Sequence, residues 1–294
     1  MMKKRKGAYI MQELLSRIQQ MQAGLTPSQR IIANYLLSSY ASVPFRTISR
    51  IAEETGVSET TIFLFCKALG FSGFSEMKQH ITDRINHAMP MPGRLAYSAV
   101  NTAGTDAVQE ILHCDTENIT QTLTAPDLTE ALDQLLDRID RAGKICTVGG
   151  RSSGFFAAFL AFKLRQQDLQ VAHIDLGIGD YPDKMLMMQP GDLAFIFSFP
   201  RYSKSVVKLA ELLHRRGVSI VLITTDALSP CYPYADQVLT CRTSSISYVA
   251  SFSGCLSLIN AIVLKRALRH RERTEEWLTE LEQSLEEFDM LYKG

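Results

Sequence analysis

The stretch that decides the fold of the first third of the chain is Ile51-Ala-Glu-Glu-Thr-Gly-Val-Ser-Glu-Thr-Thr-Ile62. It predicts the end of a short helix, a turn at Gly56, a buried Val57 and a second helix capped by Ser58. Two helices joined by so short a turn are typical of a helix-turn-helix motif. A plain helical hairpin in another kind of bundle would show the same pattern, so two interpretations stay open at this point.

The second helix of this motif has one apolar side and one mixed side. Its buried side is formed, at helical spacing, by Ile62, Phe65, Cys66 and Leu69. The other side, with the first turn, would face the major groove of DNA. These candidate DNA-binding residues are Ser58, Thr60, Thr61, Phe63, Leu64 and Lys67. Arg46 is a candidate phosphate contact, as are Arg30, Arg50, Lys78 and the basic arm Lys3–Lys6, which can equally be a solvated tail.

A further helix precedes the motif. Thr26, Pro27 and Gln29 form the expected start of a helix, with a capping threonine, a proline in the first turn and a glutamine that completes a capping box. We expect its buried side to consist of Ile31, Ile32, Tyr35 and Leu36.

Composition limits the class of protein. A chain of 294 residues with 46% hydrophobic and 21% charged residues suits two globular domains. No apolar run approaches the roughly 18 residues of a membrane span, which predicts a cytoplasmic location. The six cysteines form no C-x-x-C pair, so we expect no metal, no cofactor and no disulfide framework.

Charge is unevenly distributed. Residues 1–87 hold 11 Lys and Arg against 6 Asp and Glu, net +5, and the rest hold 20 against 25, net −5. A basic first part favours a polyanionic partner. The stretch Met89–Gly93 contains two prolines and interrupts the helical periodicity. We therefore predict a DNA-binding domain over residues 1–87, a linker over 88–105, an α/β domain with leading helices over 106–270, and an amphipathic helix over 271–294.

The α/β domain begins with helices over Asp106–Leu123 and Leu128–Arg141 and continues with strands that alternate with helices. The expected strands are Ile145–Gly149, Val171–Ile174, Leu193–Ser198 and Ser219–Thr224. Nearly continuous apolar strands separated by amphipathic helices indicate a doubly wound parallel sheet covered on both faces, a three-layer flavodoxin-type fold.

Two loops at the carboxyl ends of these strands suit an anion. They are Gly149–Gly154 and Arg201–Ser205, each of which leads into a helix N-terminus with hydroxyls and cations. The candidate ligand-binding residues are Arg151, Ser152, Ser153, Ser198, Arg201, Tyr202, Ser203 and Ser205. A tight turn with capping serines and a patch of solubilising charge are the alternative interpretations.

Enzymatic isomerisation is the rival function of such a domain, and it needs a general base, usually Glu or His. The two loops contain neither. The nearby acids are Asp175, Asp180, Asp183 and Asp226, and the nearby histidines are His173 and His214. We therefore expect no enzymatic activity.

The C-terminal part shows two further patterns. Ser244, Ser245 and Ser247 precede a long apolar helix over Tyr248–Leu268 and either add hydroxyls to the site or cap the helix. Beyond it lies an apolar seam at alternating spacings of 3 and 4: Leu278, Leu281, Leu285, Phe288 and Tyr292. The seam fits either a dimer contact or a helix folded back onto its own domain.

The N-terminal part resembles the RpiR family of bacterial regulators. The resemblance rests on Leu25–Ala33, Ile51–Ile62 and Phe65–Phe74. It implies binding to a double-stranded DNA operator, as a homodimer or homotetramer. This chain has Leu64 and Ala68 where members of the family usually have basic residues, so a phosphate or base contact of the family is expected to be missing. Leu64 either touches a thymine methyl group or is an ordinary exposed leucine.

The second part is similar to the sugar isomerase (SIS) domain over about Lys144 to Leu268. This resemblance implies a phosphosugar or related anion as effector, with Ser152 and Ser153 as phosphate ligands. Most SIS domains have Ser-x-Ser-Gly-x-Thr in the second loop, whereas this chain inserts Pro200-Arg201-Tyr202 between Ser198 and Ser203. The expected function is a DNA-binding regulator controlled by a phosphorylated metabolite. The alternatives are a phosphosugar isomerase and a DNA-binding protein with a purely structural SIS domain.

Overall fold

The computed structural model describes residues 14, 17–40, 43, 46–88, 90–102, 104 and 106–292. The basic arm Lys3–Lys6 lies outside the described residues. Contacts divide the chain into two units, one of residues 1–110 with 246–249 and the other of residues 111–245 with 250–294.

The described residues of the first unit form helices joined by short turns, with no strand among them. Its α-helices are α1 (Pro27–Ser39), α2 (Ile48–Thr55), α3 (Glu59–Ala68), α4 (Phe74–Ala88) and α5 (Met91–Asn101). Thr26 and Gln29 form the expected capping box at the start of α1. Helix α2 ends at Gly56, whose φ of 68° is the left-handed conformation that glycine adopts without strain, and Ser58 caps α3.

The core of this unit is apolar and comes mainly from α1, α3 and α4. Its largest fully buried side chains are Ile18, Ile32, Leu36, Ile51, Ile62, Phe65, Leu69, Met77 and Ile81. One expected core residue is wrong: Ile31 is 47% exposed, because the buried side of α1 is centred on Ile32 and Leu36. The expectation of an irregular linker is also wrong, since α5 occupies most of residues 88–105. Pro92 lies in the first turn of α5, where its missing N–H breaks no helical hydrogen bond.

The second unit is built around a parallel sheet. Two helices lead into it, α6 (Ala107–Leu123) and α7 (Leu128–Arg141). The alternating elements that follow are β1 (Ile145–Gly149), α8 (Ser152–Arg165), β2 (Val171–Ile174), α9 (Tyr181–Leu186), β3 (Leu193–Phe197), α10 (Lys204–Arg215), β4 (Ser219–Thr224) and β5 (Gln237–Thr240). The strand β5 was not predicted.

The strand order is β2-β1-β3-β4-β5, with parallel pairing throughout. This is the flavodoxin-type order that the sequence predicted. Successive residues of β3 alternate between two cores. Leu193, Phe195 and Phe197 face the cluster formed with α7 and α8, whereas Ala194 and Ile196 face the one formed with α10.

Two helices end the chain, α11 (Ser253–Arg269) and α12 (Arg271–Glu287). The expected helix start at Tyr248 is wrong by five residues, because side chains of α6 hold the preceding segment. Asn118 accepts a hydrogen bond from the amide of Ser244 and donates to its carbonyl, and Asp115 accepts one from the hydroxyl of Ser251 at 2.5 Å. Helix α12 stops before Tyr292, so the last seam residue is not helical.

Candidate functional site

Helix α3 presents a continuous outer face. Thr60, Phe63, Leu64 and Lys67 are exposed on it, Phe63 by 41% and Leu64 by 55%. Lys67 Nζ lies 5.6 Å from the centre of the Phe63 ring, so the cation is held over an aromatic face. The Phe63 ring also leans over Gly73, where a Cβ would approach it to 3.0 Å. The outer face therefore combines a positioned cation with exposed apolar groups, a composition that suits the edges and methyl groups of bases.

The remaining candidate DNA-binding residues serve local structure in part. The Ser58 hydroxyl accepts a hydrogen bond from the Thr61 amide and lies 2.8 Å from the Thr61 hydroxyl. Arg46 forms an ion pair with Glu54 at 3.1 Å. Glu54 also binds Arg50 at 2.9 Å and accepts a hydrogen bond from the Tyr35 hydroxyl at 2.6 Å. No local pattern indicates this cluster, since Tyr35 and Glu54 are 19 residues apart.

The second candidate site lies at the carboxyl edge of the sheet, where β1 and β3 are neighbours but their following loops lead to opposite faces. In a doubly wound sheet this topological switch point is the usual place for a ligand. The two predicted loops come together here. A Cβ built on Gly150 would lie 2.7 Å from Ser203 Cβ, so only glycine lets the first loop pack against the start of α10.

The cations of these loops have no counter-ion. Arg151, Arg201 and Lys204 are exposed and form no ion pair with the described residues. Arg151 has a φ of 57° and Arg201 a φ of 69°. Non-glycine residues reach this region only when the surrounding structure imposes it, and such outliers concentrate at functional sites.

The serines of these loops are not capping residues. Ser203 precedes α10 but makes no side-chain cap hydrogen bond, and neither does Arg151 before α8. The hydroxyls of Ser152, Ser153, Ser203 and Ser205 form no hydrogen bond within the part of the chain that the structure describes. Ser153 is buried, Ser152 is exposed, and Tyr202, Ser203 and Ser205 are half-buried. The hydroxyls are therefore available to a ligand.

Ser198 differs from the other candidate residues. It is 3% exposed, and its hydroxyl accepts hydrogen bonds from Ser229 Oγ at 3.2 Å and from Cys231 Sγ at 3.5 Å. Its carbonyl accepts one from Thr224 Oγ1 at 2.7 Å. The structure therefore places Ser198 beneath the loop, where it ties β3 to β4 and to the segment after β4.

Two of the four acids considered as possible bases hold turns, and a third, Asp180, forms an ion pair with Lys184 at 3.0 Å. Asp175 accepts a hydrogen bond from the amide of Gly177, and Asp226 from the amide of Leu228, each at 2.8 Å. His173 Nδ1 lies 3.1 Å from the Thr147 hydroxyl, and burial is the main reason why the pKa of His173 lies below its ordinary value. Among the described residues, no three His, Cys, Asp or Glu side chains are grouped as a metal site. No described helix is long and apolar enough to cross a membrane.

Two family models match the chain, one for each part. Residues 12–88 match the helix-turn-helix domain of the rpiR family, and residues 138–265 match the SIS domain. The chain contains a helix-turn-helix domain of the rpiR family. The motif Ile51–Ile62 thus identified the family of this domain from the sequence alone.

Individual relatives are HTH-type transcriptional regulators. The HTH-type transcriptional regulator HexR of Escherichia coli is 25% identical over 230 residues, which cover 77% of this chain and 77% of HexR. An HTH-type transcriptional regulator of Caldanaerobacter subterraneus is 26% identical over 235 residues, or 77% of this chain and 79% of the relative.

Two solved structures share the fold. The Vibrio vulnificus NanR protein, solved with ManNAc-6P, covers 96% of this chain and 100% of its own, with a TM-score of 0.57 and 20% identity. The sugar isomerase domain of an RpiR transcription factor from Sphaerobacter thermophilus covers 60% of this chain and 97% of its own, with a TM-score of 0.54 and 27% identity.

Proposed function

We propose that this regulator binds a small phosphorylated metabolite, a phosphosugar or a related anion, at the switch point between β1 and β3, and that the ligand controls binding to an operator. One observation carries the proposal. Two touching loops bring together three cations without counter-ions and four hydroxyls without partners among the described residues. A phosphate is bound by hydrogen-bond donors and positive charge, and neither loop contains an acid that would repel it.

In this proposal the first loop and the start of α8 hold the phosphate through Ser152 and Ser153. Arg151 and Arg201 supply charge from the two sides, and Ser203 and Ser205 add hydroxyls from α10. Tyr202 lies beside Arg201 and closes over the sugar part. Ser198 stabilises the loop from below and does not touch the ligand. NanR was solved with the phosphosugar ManNAc-6P, which makes N-acylated hexose phosphates a suitable first series of compounds.

The DNA-binding half acts through α3. Thr60, Leu64 and Lys67 would contact base edges in the major groove. Ser58 and Thr61 would hold the start of the helix against the sugar-phosphate backbone of the DNA. Phe63 supports Lys67 from its ring face. Arg46 would contact phosphate at the start of α2.

We further propose that the chain works as a homodimer or homotetramer, because operators for such motifs are paired half-sites. The apolar seam of α12 supports this. Leu278 on α12 is 40% exposed, and Phe288, directly after the helix, is 78% exposed, so both offer apolar area to a second copy. Ligand binding would then change the spacing or orientation of the paired DNA-binding units. The size of this change depends on how far the ligand's affinity differs between the DNA-binding state and the other state.

Thermal unfolding of the full chain against a panel of phosphosugars and phosphorylated sugar acids tests the ligand. A compound present at 100 times its Kd should stabilise the protein by about 2.7 kcal/mol. The variant S152A/S153A should lose the response, whereas S198A should bind the compound with unchanged affinity if it folds. A panel without any stabilising compound would favour a purely structural SIS domain, and turnover of a bound compound would favour an isomerase.

Footprinting of the DNA around the chain's own gene tests the operator. We expect a protected paired site whose affinity falls steeply with salt. A footprint that is absent, or that does not respond to salt, would contradict DNA binding by this chain.

A further inference from the structure

The cluster around Glu54 joins three parts of the first unit by charged hydrogen bonds. Tyr35 comes from α1, Arg46 from the segment before α2, and Arg50 and Glu54 from α2 itself. All three partners point a donor at the same carboxylate. Tyr35 Oη reaches Oε2 at 2.6 Å, and the Nε atoms of Arg46 and Arg50 reach Oε1 at 3.1 Å and 2.9 Å.

The position of this cluster matters because the first helix of a helix-turn-helix motif crosses the DNA backbone. Arg46 lies just before the N-terminus of α2, and Arg50 lies in its first turn, with side chains 38% and 59% exposed. An acidic group beside such residues should repel phosphate. The side chain of Glu54 is only 24% exposed, however, and hydrogen-bond donors surround its carboxylate.

The atoms that make the contacts resolve this conflict. Each arginine meets Glu54 through Nε, the nitrogen nearest its own chain. In Arg50, Nη1 binds Glu53 at 3.2 Å and Nη2 forms no hydrogen bond with the described residues. A guanidinium held by its inner nitrogen keeps its remaining outer donors in a fixed direction, which lowers the entropy lost when it binds a phosphate.

We propose that Glu54 is a positioning residue that aims Arg46 and Arg50 at the phosphate backbone of the operator, with Tyr35 fixing the carboxylate. The proposal rests on the proposed DNA-binding function and adds the residue that organises its phosphate contacts. The hydrogen bond from Tyr35 is the first cause of a pKa for Glu54 below its ordinary value, so the carboxylate stays charged.

Operator binding by the full chain, measured by fluorescence anisotropy at several salt concentrations, tests this proposal. Electrostatics alone predicts that E54Q, which removes a negative charge, binds DNA more tightly. Positioning predicts the opposite: affinity about tenfold weaker, and a salt slope shallower by about 1, the change expected for one lost phosphate contact. The matched control is E59Q, which removes the same charge from an exposed residue of α3 that forms no ion pair with the described residues, and which should bind as tightly as the unmodified chain or more tightly.

Y35F keeps the net charge and removes only the hydroxyl that fixes Glu54. We expect it to weaken binding in the same direction as E54Q. If E54Q fails to fold in thermal unfolding, Y35F and E54D decide the question. Binding by E54Q at unchanged or greater affinity, with an unchanged salt slope, would overturn the proposal while leaving DNA binding intact. An unmodified chain that binds no DNA would instead refute the proposed function itself.

Discussion

Replacing Gly150 with alanine should force apart the two loops of the candidate anion site. A Cβ atom at position 150 would lie 2.7 Å from Cβ and 3.1 Å from Oγ of Ser203. Carbon atoms in favourable contact are about 3.5–4.0 Å apart, so the loops must separate by about 1 Å. Because both Cβ atoms are fixed to the backbone, no change of rotamer relieves the overlap.

The expected loss of stability follows from this overlap. An added methyl group in a packed position costs about 1–3 kcal/mol, and for a unit of this size each kcal/mol lowers Tm by about 2–4 °C. We therefore expect G150A to unfold about 2–12 °C below the unmodified chain. Ligand affinity should fall as well, about tenfold or more if a 1 Å displacement breaks one charge-assisted hydrogen bond. Operator binding without ligand should be unchanged.

Two variants serve as controls in the same scans. At Gly154, a Cβ would lie 3.4 Å from the carbonyl oxygen of Gly149, which is ordinary contact, so G154A should unfold at the same temperature or higher. The double variant G150A/S203G removes the Cβ overlap and should recover part of the loss. If G150A unfolds and binds ligand like the unmodified chain, the loops do not pack as described and the argument for a joint anion site fails.

Three further changes test the second unit and the buried thiols. Arg266 is 3% exposed and donates a hydrogen bond to the carbonyl of Gln167, in the loop after α8, at 3.0 Å. R266A should therefore lower the free energy of unfolding by about 3 kcal/mol in urea titrations. K265A, at a more exposed neighbour, should change it far less. Burial raises the pKa of Cys66 and Cys146 to about 12, so at pH 8 only about one thiol in ten thousand is ionised, and a thiol reagent should label both only after unfolding, as read by mass spectrometry. Burial lowers the pKa of His173, so the neutral ring stabilises the folded state. This contribution is fully present above about pH 6.5 and is lost as the pH falls through the folded-state pKa. The variant H173N should therefore show a smaller decline in the free energy of unfolding between about pH 7 and pH 5.

Local chemistry predicted those elements whose causes are local. The helix-turn-helix could be read from Gly56 and Ser58, because a left-handed residue and a cap act within a few residues. The strands β1, β3 and β4 were visible because they are nearly continuous apolar runs. Strand β5 was missed because two of its four residues, Gln237 and Thr240, are polar, so it shows no continuous apolar run.

The meeting of the two candidate anion loops was predictable from the sequence, but the contacts of their side chains were not, because the partners are distant along the chain. Glycine, serine and arginine near the end of a strand indicate an anion-binding loop. This residue pattern does not depend on which groups each side chain contacts. Whether a serine faces the ligand depends on distant residues: the hydroxyl of Ser198 meets Ser229, 31 positions later, and so lies under the loop. The same holds for Glu54, whose partner Tyr35 is in another helix. Side chains whose hydrogen bonds cross between elements are therefore the ones whose role a sequence motif leaves open. Substitutions at these positions test the structure more directly than substitutions within the motif.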